Sequence, residues 1–220
     1  MSRDRILADV RAALLRVMPP PHHHPHPAWP VAAPGSWSSL LAQFRERFEG
    51  LGGQWHPAGD RAAVDAQLVA IARQYAGAVW VARDPDGLLD RLGVADTLAA
   101  AGVEVVRSFG GPEHADRLGL SITATTAAIA ESGTFALIPS PGQGRLSSVI
   151  APAHLTVLDP ARVVATLGDF IRQAASALGS RQASAAVLVT GPSRTADIEG
   201  QLLVGVHGPG RVHCLPVGGA

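Results

Sequence analysis

Apolar residues recur along this chain with two periods, and the switches between them outline a fold. Ile6, Val10, Leu14 and Val17 fall four, four and three apart, which predicts an amphipathic helix over residues 1–17. Pro19–Pro34 (PPPHHHPHPAWPVAAP) then breaks every period, because proline at this density removes N–H donors and favours extended backbone. Residues 18–35 are read as a linker or surface strap. From Ser36 a helical stripe resumes with Trp37, Leu40, Leu41, Phe44 and Phe48, and stops at Gly52–Gly53. A short strand around Gln54–His56 follows, then a helix capped by Asp60 with Val64, Leu68 and Ile71 inward. AVWVA at Ala78–Ala82 reads as a buried strand, Asp86–Ala101 as one helix or two short ones, and Val103–Arg107 as another strand. Short apolar strands alternating with helical segments predict an α/β fold with a mostly parallel sheet covered on both faces.

The second half is richer in Ser, Thr, Ala and Gly. Leu120–Thr123 and Thr134–Ile138 read as strands, with a helical turn in the ATTAAIAESG between them. Leu155–Leu158 predicts a strand. Pro160–Ala177 predicts a helix with proline in its first turn and Val163, Val164, Leu167, Phe170 and Ile171 at helical spacing. The buried strand Ala185–Thr190 runs into GPSRTADIEG, expected to open a helix near Ala196. The Gly-Pro loop GVHGPG and a last strand, Val212–Val217, complete the pattern. Residues 36–220 are thus expected to form one α/β domain.

Composition narrows the chemistry. Formal net charge is zero, so nothing supplies the basic footprint that nucleic acid or an acidic membrane surface requires. All 18 basic residues are arginine. Without lysine there is no Schiff base to pyridoxal phosphate and no Walker-type phosphate contact. An anionic substrate must be held by arginine, backbone N–H groups or a helix N-terminus. The single cysteine, Cys214, in the apolar HCLPV, is expected to be a buried small hydrophobe. One cysteine cannot carry an iron–sulfur cluster, which takes about four ligands. No HExxH motif or paired CxxC points to zinc. Four of the nine histidines lie in the proline-rich tract, where a flexible backbone offers a metal no fixed geometry. No apolar run nears the roughly 20 residues of a membrane span, and the amphipathic start has no signal-peptide core, so a cytoplasmic location is expected.

Four loops carry candidate chemistry. At the GPSRTADIEG turn, Gly191 allows close backbone approach. Ser193 and Thr195 can cap or bind, Arg194 offers a fork for a carboxylate, and Asp197 and Glu199 follow closely. A capped helix with an acidic first turn would account for the same residues. In AESGT, Glu131 sits in an apolar context before Gly133 and Thr134. Burial would raise its pKa and make it a candidate proton acceptor, whereas a turn-capping carboxylate needs no such role. His207 and Gly208 lie in an uncrowded Gly-Pro loop suited to acid–base work. Arg145 lies in the Gly-rich SPGQGRLSS, which also reads as a flap. Ser193 is not in a GxSxG elbow, because Thr195 holds the last position.

These motifs resemble the LUD-domain family over about residues 36–217, closely from Gly119 onward. The likeness rests on GLSIT at Gly119–Thr123, AAIAESGT at Ala127–Thr134, Gly144–Ser147, Pro152–His154, and the long GPSRTADIEGQLLVGVHGP at Gly191–Pro209. The resemblance implies a three-layer α/β/α sandwich of the NagB/RpiA/CoA-transferase type. It also implies participation in oxidising L-lactate to pyruvate beside two iron–sulfur subunits. This chain would bind no cofactor alone, the clusters residing on those partners. Arg194 or Arg145 would then hold a small carboxylate, with His207 or Glu131 assisting proton removal. Two other readings stay open: a ligand-sensing or assembly module without chemistry, and a CoA or acyl transferase using Glu131, whose Glu-x-Gly spacing matches related transferases.

Overall fold

The computed structural model describes residues 3–14, 36–57, 59–82, 86–108, 111–139, 144–179, 185–195 and 202–218. The proline- and histidine-rich tract at 18–35 and residues 196–201, with Asp197 and Glu199, lie outside that set. Helix α1 (Arg3–Leu14) belongs to a separate unit, Met1–Pro30, and exposes Ile6 and Leu7.

The second unit opens with α2 (Trp37–Gly50), where the Ser36 side chain accepts from the Ser39 N–H, as an N-cap should. Strand β1 (Gln54–Trp55) precedes α3 (Arg61–Ala72), whose first turn is capped by Asp60 through the Ala63 N–H. Then come β2 (Ala78–Val81), the two short helices α4 (Leu88–Arg91) and α5 (Val94–Ala100), β3 (Val105–Val106), α6 (Pro112–Ala115) and β4 (Leu118–Ala124). The chain continues through β5 (Ala127–Ile129), β6 (Thr134–Leu137), β7 (Ala153–Leu158), β8 (Val163–Val164), α7 (Leu167–Gly179) and β9 (Val187–Val189). It closes with β10 (Arg194–Thr195), β11 (Leu203–Val204) and β12 (Arg211–Pro216).

Six strands form a sheet in the order β1-β12-β7-β4-β2-β3, with every neighbouring pair parallel. On one face α3, α4 and α5 pack Leu68, Ile71, Leu89 and Leu98 against Val79, Leu120, Ile122, Leu155 and Leu215. On the other, Phe44 and Phe48 of α2 meet Phe135, Val212 and Cys214. Phe135 lies 5.1 Å from each of the two α2 rings, within the range of favourable edge and tilted contacts. Cys214 is fully buried, and burial drives its thiol pKa well up, so it packs as a small apolar residue.

A second sheet, in the order β8-β5-β6-β9, was not foreseen and corrects two expectations. ATTAAIAESG is not a helical turn: Ala127–Ile129 pair antiparallel with Thr134–Ala136 of β6, in the register Ala127 to Ala136 and Ile129 to Thr134. Alanine favours helix in isolation, yet here it lets two layers approach closely, with Ala128 and Ala136 fully buried. Nor does one helix run from Pro160. Val163 and Val164 pair with Ala128 and Ile129, as β-branched residues readily do, and α7 starts after Thr166. There Thr166 and Asp169 exchange backbone-to-side-chain hydrogen bonds, a capping box that fixes the helix start at Leu167, seven residues past the proline.

Candidate functional site

A cleft of about 550 Å³ opens at the edge where the parallel strands begin. Its walls come from Gln54 at the start of β1, Tyr75 ahead of β2, Pro152 ahead of β7, and Arg211 at the start of β12. Val204, Gly205 and Gly210 close the side nearest the β10–β11 hairpin. The size falls in the usual range for small-molecule sites. Among the described residues one cation and no carboxylate line it, so their local field favours an anion. Arg211 is exposed, and its side chain makes no hydrogen bond or ion pair with another described residue.

Behind Tyr75 lies a chain of hydrogen bonds. Alternation along β12 puts Arg211, His213 and Leu215 on the α3 face and Val212 and Cys214 on the other. His213, with no exposed surface, contacts the Tyr75 hydroxyl through Nε2 at 2.5 Å and His56 Nε2 through Nδ1 at 2.8 Å. Gln67 of α3 hydrogen-bonds His56 in turn. Burial, then the neighbouring His56 and Arg211 charges, lowers the His213 pKa to about 4, and burial lowers that of His56. Both rings are therefore neutral at pH 7. Burial also raises the Tyr75 pKa, so its hydroxyl keeps its proton.

Tyr75 is placed by two glycines. A Cβ on Gly77, whose φ is +99°, would meet the Arg117 carbonyl oxygen at 2.3 Å, and one on Gly119 would meet the Ala76 carbonyl oxygen at 2.1 Å. Only glycines let the Tyr75–Gly77 turn lie this close to β4.

A second buried polar group occupies the opposite sheet face. His154 Nε2 hydrogen-bonds Thr123 Oγ1 at 2.8 Å, while His154 Nδ1 is buried without a partner. Burial, with a smaller contribution from the His213 charge, holds its pKa down at about 3. Ser121, Thr123, His154 and Thr156 form a sealed row with no exposed surface.

The sequence-predicted site residues fall into two groups. The turn at 191–195 and the loop at 205–210 do meet: the Ser193 N–H donates to the Pro209 carbonyl, and the Gly205 N–H donates to the Ser193 carbonyl, both at 2.9 Å. With that carbonyl engaged, Ser193 does not start a helix. Arg194 and Thr195 pair antiparallel with Val204 and Leu203, and the helix expected near Ala196 lies outside the described residues. Arg194 Nη2 donates to the Leu51 carbonyl at 2.6 Å, so its guanidinium serves the end of α2. His207 is exposed, and neither it nor Gly208 lines the cleft.

The remaining candidates lie elsewhere. Glu131 is exposed, not buried, and its Oε1 accepts the Leu167 N–H at 2.7 Å, capping α7. Thr134 bridges Ser132 and Thr190 through hydroxyl contacts of 2.8 Å. Gly133 sits at φ +64° against the backbone of Arg47 and Phe48. Arg145 borders a small pocket with no room for a water.

The model of the LUD domain matches residues 41–217. The chain belongs to the LUD domain family. It is 28% identical over 197 residues to lactate utilization protein C of Deinococcus radiodurans, covering 87% of this chain and 86% of that one. It is 33% identical over 129 residues to the protein of that name from Halalkalibacterium halodurans, a match spanning 56% of each chain. With the Shouchella clausii protein of the same name it shares 36% identity over 98 residues, 43% of that protein's length. The chain thus spans about half the length of two of these relatives. A crystal structure of a DUF162 family protein from Deinococcus radiodurans superposes with a TM-score of 0.61 at 24% identity, covering 84% of this chain and 100% of that one. That likeness supports the α/β architecture of this LUD domain.

Among the described residues of the LUD domain, no group of three His, Cys, Asp or Glu side chains is placed to hold a metal. No described helix is long and apolar enough to cross a membrane. Tyr75, His56, His213 and Arg211 were not singled out from sequence. The available signal was the alternation of RVHCLP, which sets Arg211 and His213 on one face.

Proposed function

We propose that this LUD domain serves lactate utilisation by binding a small carboxylate in the cleft at the start of β12, within a complex that oxidises L-lactate to pyruvate. The relatives' shared name supports the pathway. The observation that carries the site is Arg211, whose guanidinium has no partner among the described residues, at a cleft of about 550 Å³ that no described acid lines. The chain's single cysteine fits a division of labour in which iron–sulfur subunits carry electrons and this chain contributes binding.

Relative to the sequence expectation, the carboxylate fork moves from Arg194 or Arg145 to Arg211. A second reading, an assembly module without chemistry, draws on the exposed apolar residues Leu202, Val204 and Val206 beside the cleft.

The test is genetic and biochemical. Deleting the gene should abolish growth on lactate as sole carbon source and lactate-dependent dye reduction in extracts, and the full chain should restore both. Undiminished dye reduction in the deletion strain would remove this chain from lactate oxidation.

A further inference from the structure

We propose that Tyr75, His213 and His56 form a proton-ordered relay that presents the Tyr75 hydroxyl as a donor to the C2 oxygen of a 2-oxo or 2-hydroxy carboxylate held by Arg211. This rests on the cleft being the small-carboxylate site and adds what recognises the rest of the molecule. A plain carboxylate needs only the arginine fork. A second oxygen on the neighbouring carbon calls for a second donor, and Tyr75 is the cleft residue with a relay behind it.

The order of protons follows from counting. Each neutral imidazole has one N–H and one bare nitrogen. Two contacts are fixed, Tyr75 Oη to His213 Nε2 at 2.5 Å and His213 Nδ1 to His56 Nε2 at 2.8 Å. Each needs one proton, no more. Only two arrangements meet that condition.

In the first, the Tyr75 O–H donates to His213 Nε2, the His213 Nδ1–H donates to His56 Nε2, and His56 keeps its proton on Nδ1. In the second, the His56 Nε2–H donates to His213 Nδ1, the His213 Nε2–H donates to Tyr75 Oη, and the tyrosine proton is free for the cleft. Any mixture sets two protons or two lone pairs face to face across a buried contact, which is costly. Gln67 lies beside His56, and its amide, with both an acceptor and donors, suits either order. Passing between the orders changes neither net charge nor oxidation state.

A ligand oxygen that only accepts, such as the pyruvate carbonyl, therefore selects the second order. His213 has no exposed surface and cannot meet the ligand, so it and His56 are positioning residues acting through Tyr75. Acetate, with a carboxylate but no C2 oxygen, should bind without selecting an order.

The experiment is titration of the full chain with pyruvate and with acetate. Binding is read by calorimetry, and the histidine tautomers by long-range ¹H–¹⁵N correlation at neutral pH. In the pyruvate complex both His213 and His56 should carry their proton on Nε2. Tyr75→Phe should weaken pyruvate about tenfold, the value of one lost hydrogen bond, and leave acetate unchanged. Arg211→Gln should weaken both ligands. If Tyr75→Phe does not fold, the tautomers of the unaltered protein still decide. A pyruvate complex with His213 protonated on Nδ1 overturns the relay, as does an absence of pyruvate binding. Full rescue of lactate growth by Tyr75→Phe in a strain that needs this gene also overturns it, while leaving the lactate role standing. A gene dispensable for lactate oxidation would instead sink that role.

Discussion

His154 and His213 sit on neighbouring strands, are equally hidden from solvent, and are both held neutral by burial. They differ in where their hydrogen bonds lead. His154 ends on Thr123 inside the sheet, with Nδ1 unpaired. His213 leads through Tyr75 to a cleft whose arginine has no side-chain partner among the described residues. Burial and a displaced pKa are common to both, so neither property marks a site. The route from the ring to a space a ligand can enter separates a structural histidine from a functional candidate.

The broadest way to probe this contrast is acid. Both folded-state pKa values, about 3 for His154 and about 4 for His213, lie below the ordinary 6.5. Below pH 6.5 the unfolded chain therefore takes up more protons than the folded one, and stability is lost as pH falls toward those values. Each ring should cost roughly 2 kcal/mol between pH 7 and pH 5, so urea unfolding at pH 5 should show about 4 kcal/mol less stability. Equal stability at the two pH values would mean the rings are not kept neutral.

A smaller effect should separate the two regions. Gly119→Ala forces a methyl against the Ala76 carbonyl beside Tyr75. It should cost about 3 kcal/mol in a denaturant melt, the upper end for overpacking, and weaken pyruvate binding as well. The smallest effect is expected from Thr123→Val, which removes the nearer hydroxyl partner of His154 Nε2 and leaves Thr156 Oγ1 at 3.5 Å. A loss of about 1–2 kcal/mol with pyruvate affinity unchanged is expected. Weakened pyruvate binding in that variant would show that the sealed row and the cleft are one unit.

Much of the parallel sheet was legible because its strands are short apolar runs bounded by helices. AVWVA and the Asp60-capped helix appear where their patterns put them. The second sheet was not, because AAIA carries a helical propensity that only pairing with β6 and β8 overrides. The candidate site was harder. Arg194 and Glu131 have the chemistry of ligand-handling residues, yet each is occupied by a backbone group that sequence cannot reveal, the Leu51 carbonyl and the Leu167 N–H. His213 was hidden in HCLPV because its partner His56 lies 157 positions away. Arg211 drew no attention because nothing local says that its side chain borders a cleft.

Strand β12 follows every other strand in sequence, yet it lies inside the sheet between β1 and β7. Until residues 211–216 emerge from the ribosome, β1 has no partner there, β7 has an open edge, and His56 has no His213 to meet. Closure is thus a late, high-contact-order event, and a nascent chain stopped before Arg211 exposes unpaired strand edges that invite aggregation. The strand that completes the relay also completes the sheet, so the cleft cannot exist on a partly finished fold.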